Sequence, residues 1–286
     1  MRGSPPILKK HAKVVGVLLD SAFLNGKMEV VEFSLRGDDS VATFGVLLPA
    51  AGKSTRFRDP HYKKPFAPLD SRPVWMHAAE KFLNREDVKQ TIIIISPEDR
   101  EWFFDKFGAN VAILGVEVVE GGAERADSVM AALSRIRADI QYVAVHDAAR
   151  PCIADTWIEA VFSAAVKTGA AVLGTPVTAT LKRVGNDKTI VETVPREALW
   201  EAQTPQVFRR QLLLDAYAQR GSFAATDDAQ LVERLGHPVT IVPGSPMNLK
   251  ITTKEDLRLA SAVLKALPKP NLMGPAHPFA DDDHWR

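Results

Sequence analysis

Residues 43–48 form a continuous apolar run, the pattern of a strand buried on both faces. A β-branched run follows at 91–95, and shorter apolar runs stand at 116–119, 142–145 and 170–173. Between them the hydrophobic spacing changes to that of helices. One helix is predicted to start at Pro73 and run through Leu83. A second starts at Ser96-Pro97-Glu98 and runs to about Phe107, and a third begins at Asp127 and Ser128 and runs through Arg137. A fourth runs from Thr156 to Thr168, capped by Asp155 and stopped by Gly169. Strands alternating with helices in this way predict an α/β fold, a mostly parallel sheet with helices on both faces.

The alternation breaks at 177–198. Residues 180–184 and 189–193 flank Gly185-Asn186-Asp187-Lys188 and read as a long hairpin. A lone hairpin buries too little to be stable, so this arm is expected to pack on something, a second subunit being a candidate. Beyond it, helices are predicted at 208–219 and 227–235, the latter capped by Thr226. Strands are predicted at 239–242 and 248–252. Thr253 and Asp256 form a capping box for a last helix through Leu267, with Leu257, Ala260, Leu264 and Leu267 on one face.

The chain has 286 residues and divides into an extension at 1–42, a domain at 43–267 and a tail at 268–286. The tail is proline-rich, then acidic, and reads as disordered. In the extension, 14–19 and 28–33 could pair around Asn25-Gly26, and no function is assigned to them. Lysines precede the 14–19 run, but Asp20 cuts it short and no small-residue cleavage site follows, which argues against a signal peptide. No apolar run approaches membrane-spanning length. A net charge of +1 gives no bulk attraction to nucleic acid or a membrane, so any anion must be held by local charge. Cys152 is the only cysteine, which excludes a disulfide within the chain and fits a reducing cytoplasm.

Ligands of such sheets sit at the carboxyl ends of the strands. Three suggestive stretches fall there. Pro49-Ala50-Ala51-Gly52 opens a loop that reaches Arg56, Lys63 and Lys64, Gly121-Gly122 opens a second, and His146-Asp147 ends a strand. Small-residue loops bring backbone N–H groups to phosphate. Gly52-Lys53-Ser54-Thr55 is not a P-loop, because that motif needs a glycine where Leu47 stands. Asp147 reads either as a turn cap or as a ligand of Mg²⁺, which takes one or two protein carboxylates beside phosphate oxygens. Lys64, Arg125 and Lys250 read either as solvated charges or as anion ligands. Lys250 stands between Leu249 and Ile251 and faces the opposite side of the predicted strand. His146 and Cys152 read as structural, and no Ser-His-Asp set is evident.

Several motifs in register resemble the 2-C-methyl-D-erythritol 4-phosphate cytidylyltransferase family over about residues 43–267. They are Pro49-Ala50-Ala51-Gly52 with Arg56, Glu124-Arg125-Ala126-Asp127-Ser128-Val129, and His146-Asp147-Ala148-Ala149-Arg150-Pro151. Residues 200–206, Thr226-Asp227-Asp228 and Asn248-Leu249-Lys250-Ile251-Thr252 complete the set. The resemblance implies a Rossmann-like nucleotidyltransferase fold and a homodimer joined through the hairpin arm. The implied reaction passes CMP from CTP to methylerythritol phosphate with Mg²⁺. By the same resemblance, Arg56, Lys64 and Lys250 are the catalytic cations, and Ala50, Ala51, Gly52, Gly122, Arg125 and Ser128 hold CTP. Asp147 binds the metal. Arg150, Thr180, Arg196, Asp147 and Lys250 bind the acceptor, with Thr180 and Arg196 supplied by the partner's arm.

Three positions depart from the family pattern. Lys63-Lys64-Pro65-Phe66 replaces Pro-Lys-Gln before the aromatic residue, which leaves Lys63 as the alternative to Lys64. Ala123 stands where relatives are often acidic, and residues 1–42 have no counterpart. Two rival readings keep the CTP side: a cytidylyltransferase for another polyol phosphate such as ribitol 5-phosphate, and a non-catalytic CTP-binding regulator.

Overall fold

The computed structural model describes residues 41–52, 54, 57, 59 and 61–268. The hairpin read at 14–33, and the tail beyond its first residue, lie outside the described residues. The first half of the fold holds β1 (Phe44–Pro49), the short β2 (Pro68–Leu69) and β3 (Arg72–Pro73), and α1 (Val74–Leu83). β4 (Val88–Ile95), α2 (Arg100–Leu114), β5 (Glu117–Glu120), α3 (Arg125–Leu133) and β6 (Tyr142–Val145) follow. Next come α4 (Asp155–Thr168), β7 (Ala170–Pro176), β8 (Leu181–Val184), β9 (Ile190–Val194) and β10 (Trp200–Arg209). The order ends with α5 (Arg210–Ala218), α6 (Asp228–Arg234), β11 (Thr240–Pro243) and α7 (Lys254–Ala266).

Seven strands make the central sheet, in the order β11-β7-β10-β6-β1-β4-β5. β1 runs parallel to β4 and β6, β5 to β4, and β11 to β7. Only β10 is antiparallel to its neighbours, β6 and β7. Successive side chains of β1 sort onto opposite faces, as the pleat requires. Val46 and Leu48 join a core with Trp75 of α1, Phe103 of α2 and Phe162 of α4. Leu47 joins another with Val129 of α3, Leu213 of α5 and Val232 of α6. This double burial is why 43–48 reads as unbroken hydrophobicity. A third cluster of Leu69, Val74, Cys152, Ile251 and Ala260 seats α7 through the predicted face, with Leu257, Leu264 and Leu267 packed against it. The Thr253–Asp256 capping box is formed.

Several local expectations are corrected. Residues 248–252 are not a strand. The segment is tied down at Ile251, whose N–H donates to the Ala149 carbonyl at 2.8 Å. Phe208 belongs to β10, and the helix expected from 208 starts at Arg210. β10 is interrupted by a register shift between Ala202 and Gln206. Pro205 falls within it and has no N–H to give a ladder, so the alternation that marks a strand is lost there. α3 begins at Arg125, before Asp127, because Glu124 and Asp127 close a capping box, and it ends at Leu133. Asp155 lies in the first turn of α4 behind the N-cap Ala154, and its carboxylate pairs with Lys81 at 3.2 Å. Asp227, not Thr226, caps α6 by accepting from the Gln230 N–H. α2 continues to Leu114, where Gly115 ends it in the left-handed region. Gly169 does the same for α4, as expected.

The arm is a separate two-stranded sheet of β8 and β9. Val184, Ile190 and Val191 are exposed on it, and Leu199 and Trp200 are exposed at its base.

Candidate active site

The carboxyl ends of four parallel strands open onto one cavity of about 740 Å³, large enough for a nucleotide-sized ligand. β1 contributes residues 49–52, β4 residues 96–98, β5 residues 121–125 and β6 Asp147. Backbone bonds fix the strand ends against one another. The Ala50 N–H donates to the Ile94 carbonyl at 2.8 Å, Gly121 to Ile95 at 2.8 Å and His146 to Leu47 at 2.9 Å. Lys64 and Lys250 also line it, arriving from segments far apart in sequence.

The two adjacent lysines are sorted by their surroundings. Lys63 Nζ lies 2.9 Å from Glu98 and 2.7 Å from Asp99, held at the start of α2. Lys64 heads a 3₁₀ turn closed by buried Pro65 and Phe66, donates its N–H to Ser54 Oγ at 3.2 Å, and lines the cavity. Pro65 fixes the backbone directly after Lys64.

Asp147 is the pivot of the opposite wall. Its carboxylate is 2.9 Å from Lys250 Nζ and 3.3 Å from Arg150 Nε, and its N–H donates to Thr204 Oγ1 at 3.0 Å. Arg150 Nη1 also donates to the Asn248 carbonyl at 2.7 Å. Arg150 thus clamps the Asp147 loop to the segment that carries Lys250. Buried Asn248 secures the same segment by donating to Gln203 Oε1 at 3.2 Å and to the Thr204 carbonyl at 2.9 Å. Burial alone would raise the Asp147 carboxyl, but Lys250, Arg150 and Arg125 outweigh it and hold the group well below the usual carboxylate range. It is an anion at any physiological pH. His146, beneath it, is wholly buried, and burial lowers its imidazole to about 4, so the ring is neutral. Its Nε2 sits 3.1 Å from the Arg150 carbonyl and its Nδ1 3.2 Å from Thr204 Oγ1. A carbonyl only accepts, so Nε2 carries the proton and Nδ1 accepts from the threonine hydroxyl. The structural reading of His146 stands, as does that of buried Cys152, whose thiol burial pushes up to about 12.

The second glycine loop is built around Ser128. Its hydroxyl accepts from the Gly122 N–H at 3.1 Å and donates to the Glu124 carbonyl at 3.0 Å. Gly121 approaches so closely that a Cβ there would stand 2.5 Å from Ser128 Oγ and 3.1 Å from the Ala51 Cβ. Ala50, Ala51, Gly52, Gly122, Arg125 and Ser128 all line the cavity. Thr180 and Arg196 do not. Both are exposed at the root of the arm, where the Arg196 guanidinium donates to the Thr178 carbonyl. Arg56 lies outside the described residues.

Some of the site was not foreseen. Ser96, Pro97 and Glu98 line it because they follow β4. The position after a strand is the available signal, although the Ser96-Pro97-Glu98 pattern itself predicts only a helix start. Among the described residues no three His, Cys, Asp or Glu side chains cluster as a metal site. Asp147, an ionised carboxylate on the cavity wall, still fits the donor set that a divalent cation shares with a polyphosphate. No helix among the described residues is long and apolar enough to cross a membrane.

A mostly parallel α/β sheet whose strand ends gather lysine, arginine and carboxylate side chains around a nucleotide-sized cavity defines a nucleotidyltransferase. Residues 44–266 match the model of the 2-C-methyl-D-erythritol 4-phosphate cytidylyltransferase family. The chain belongs to that family. It is 44% identical over 234 residues to the 2-C-methyl-D-erythritol 4-phosphate cytidylyltransferase of Rhodopirellula baltica, covering 78% of this chain and 95% of the relative. It is 42% identical over 231 residues to that of Solibacter usitatus, covering 77% and 95%. The crystal structure of 2-C-methyl-D-erythritol 4-phosphate cytidylyltransferase from Thermus thermophilus superposes with a TM-score of 0.63 at 36% identity, covering 78% of this chain and 99% of that one.

Proposed function

We propose that the chain transfers CMP from CTP to 2-C-methyl-D-erythritol 4-phosphate, releasing pyrophosphate. The observation that carries this reading is the convergence of Lys64, Asp147 and Lys250 on one cavity rim. An oxygen of the acceptor's phosphate attacks the α-phosphorus of CTP, a new P–O–P bond forms, and the bond to pyrophosphate breaks. The nucleophile is already an oxyanion, so no strong general base is needed. The obstacle is bringing two polyanions together, and preorganised cations answer it. Lys64 and Arg56 hold the triphosphate and offset charge at the α-phosphorus from one side, and Lys250 does so from the other. Ala50, Ala51, Gly52, Gly122 and Ser128 receive the cytidine portion, with Arg125 beside it. Asp147 would hold Mg²⁺, which supplies Lewis-acid charge neutralisation when bound. Lys250 and Arg150 keep that carboxylate ionised and oriented.

The acceptor side is shared with a second copy. Thr180 and Arg196 lie at the arm's root and away from this chain's cavity, and the arm's apolar side chains are exposed. Both features support a homodimer in which each arm serves its neighbour's cavity. The reading places the enzyme in the cytoplasm, acting on small molecules. Pyrophosphate release with CTP, Mg²⁺ and methylerythritol phosphate tests it, with ribitol 5-phosphate as the comparison. Faster turnover of ribitol 5-phosphate overturns the acceptor, and CTP binding without turnover of either overturns the enzyme.

A further inference from the structure

Arg125 enters the cavity rim as the first residue of α3, and its Nη2 lies 2.6 Å from Asp228 Oδ2. Asp228 is fully buried at the start of α6, 103 residues later in the chain. Its second oxygen accepts from the Tyr217 hydroxyl of α5 at 2.5 Å. Its backbone N–H and that of Ala229 donate to Gln206 Oε1 at 3.1 and 3.0 Å, and Gln206 Nε2 donates to Asp227 at 2.8 Å. Gln206 in turn pairs with Val145 of β6, two residues before Asp147.

A buried carboxylate costs several kcal/mol in desolvation unless it is paired and hydrogen-bonded. Asp228 meets that requirement with one cation, and that cation reaches out to the ligand cavity. The guanidinium offers five donors in a rigid fork, so engaging one terminal nitrogen leaves others for a ligand while fixing the plane. An arginine on a cavity rim without such a hold would lose rotamer entropy on binding. We infer that Asp228, locked by Tyr217 and Gln206, is a positioning residue that presets the Arg125 guanidinium against the nucleotide. The inference rests on the reading of this cavity as the CTP site.

Direct CTP titration of the full chain, with steady-state kinetics, tests it. Asp228→Asn keeps the shape and removes the charge. It is expected to weaken CTP binding about tenfold, equivalent to ~1.4 kcal/mol, while kcat at saturating CTP stays within about twofold. In an Arg125→Ala background the same change is expected to have no further effect on CTP affinity, because Asp228 acts through Arg125. Equal weakening in both backgrounds, or a fall in kcat alone, overturns the positioning role. So does Arg125→Ala weakening CTP binding while Asp228→Asn leaves it unchanged. If Arg125→Ala itself leaves CTP affinity intact, the nucleotide role of Arg125 fails instead, and the inference with it. Should Asp228→Asn not fold, Tyr217→Phe loosens the same carboxylate without changing charge and is read through the same cycle.

Discussion

Lys250 Nζ stands 2.9 Å from the carboxylate of Asp147, joining a loop before α7 to the end of β6 on one wall of the cavity. The pair brings one group suited to a metal and one suited to phosphate into contact before any ligand arrives. Charges so close in a half-buried site are coupled, and Arg150 is the third member of the group. Asp147→Asn should therefore abolish Mg²⁺-dependent turnover, by about a hundredfold or more, with the fold retained. Circular dichroism and pyrophosphate release check both halves, and unchanged turnover would remove Asp147 from the mechanism.

The neighbouring lysines give a sharper contrast. Lys63 is held by Glu98 and Asp99, whereas Lys64 lines the cavity. Lys64→Ala should lower kcat by about a hundredfold, as expected for removing a charge that stabilises the transition state. Lys63→Ala should cost less than about tenfold, since it releases only a partly exposed ion pair. Kinetics on the two variants decide the matter, and the reverse ranking would exchange their roles.

That contrast marks what the sequence could tell. Lys63-Lys64 as a string is symmetric, and only the packing of Phe66 and the acidic start of α2 break the tie. Runs buried on both faces, such as Val46-Leu47-Leu48 and Ile92-Ile93-Ile94-Ile95, were legible because double burial forces unbroken hydrophobicity. From their order the strand ends followed, and with them the Gly52 loop, the Gly121 loop and Asp147. β10 was not legible, because Pro205 and a register shift erase its alternation. Lys250 was expected in a strand and stands in a loop, yet it still faces the cavity while Ile251 is buried. Its orientation follows from Ile251 being anchored in the α7 cluster, which any extended segment delivers. The Arg125–Asp228 pair had no local trace, since a contact across 103 positions leaves no periodicity.

Gly121 is fixed by space. Its φ is ordinary, but a methyl group would meet Ser128 Oγ at 2.5 Å and the Ala51 Cβ at 3.1 Å. The two glycine loops would have to move apart to admit it. Gly121→Ala should raise the KM for CTP by about tenfold or more, while global stability falls by only about 1–3 kcal/mol. Steady-state kinetics beside urea unfolding would show it. A variant with unchanged CTP kinetics would mean that the cavity tolerates the separation.

The arm makes a prediction about assembly. Ile190 and Val191 are about two-thirds exposed, at 63% and 65%, on a hairpin that pairs with no other strand among the described residues. A charge at either position should be harmless to a monomer and disruptive to an apolar interface. If the proposed homodimer forms through the arm, Ile190→Asp should shift the protein from dimer to monomer in sedimentation analysis and lower turnover by at least about tenfold, because Thr180 and Arg196 would no longer reach the proposed partner. A dimer of unchanged stability would locate the interface elsewhere.

Acid sensitivity follows from His146. Burial lowers its folded value to about 4 from an ordinary 6.5, only partly offset by its bonds to Arg150 and Thr204. Between those values the unfolded chain binds a proton that the folded chain refuses. Stability from this group is therefore fully present above pH 6.5 and is lost as the pH falls toward 4, by up to ~3 kcal/mol. Asp147, held low by Lys250 and Arg150, adds a further loss only below its ordinary value of 3.8. Protonating Nδ1 would also leave it facing a threonine hydroxyl that already accepts the Asp147 N–H, so the damage lands on the loop that carries the Asp147 carboxylate. Urea unfolding across pH 7 to 4.5 should show stability falling with acid. His146→Gln should flatten that slope by about one proton, or ~1.4 kcal/mol per pH unit. An identical slope in the variant would place the acid-sensitive group elsewhere.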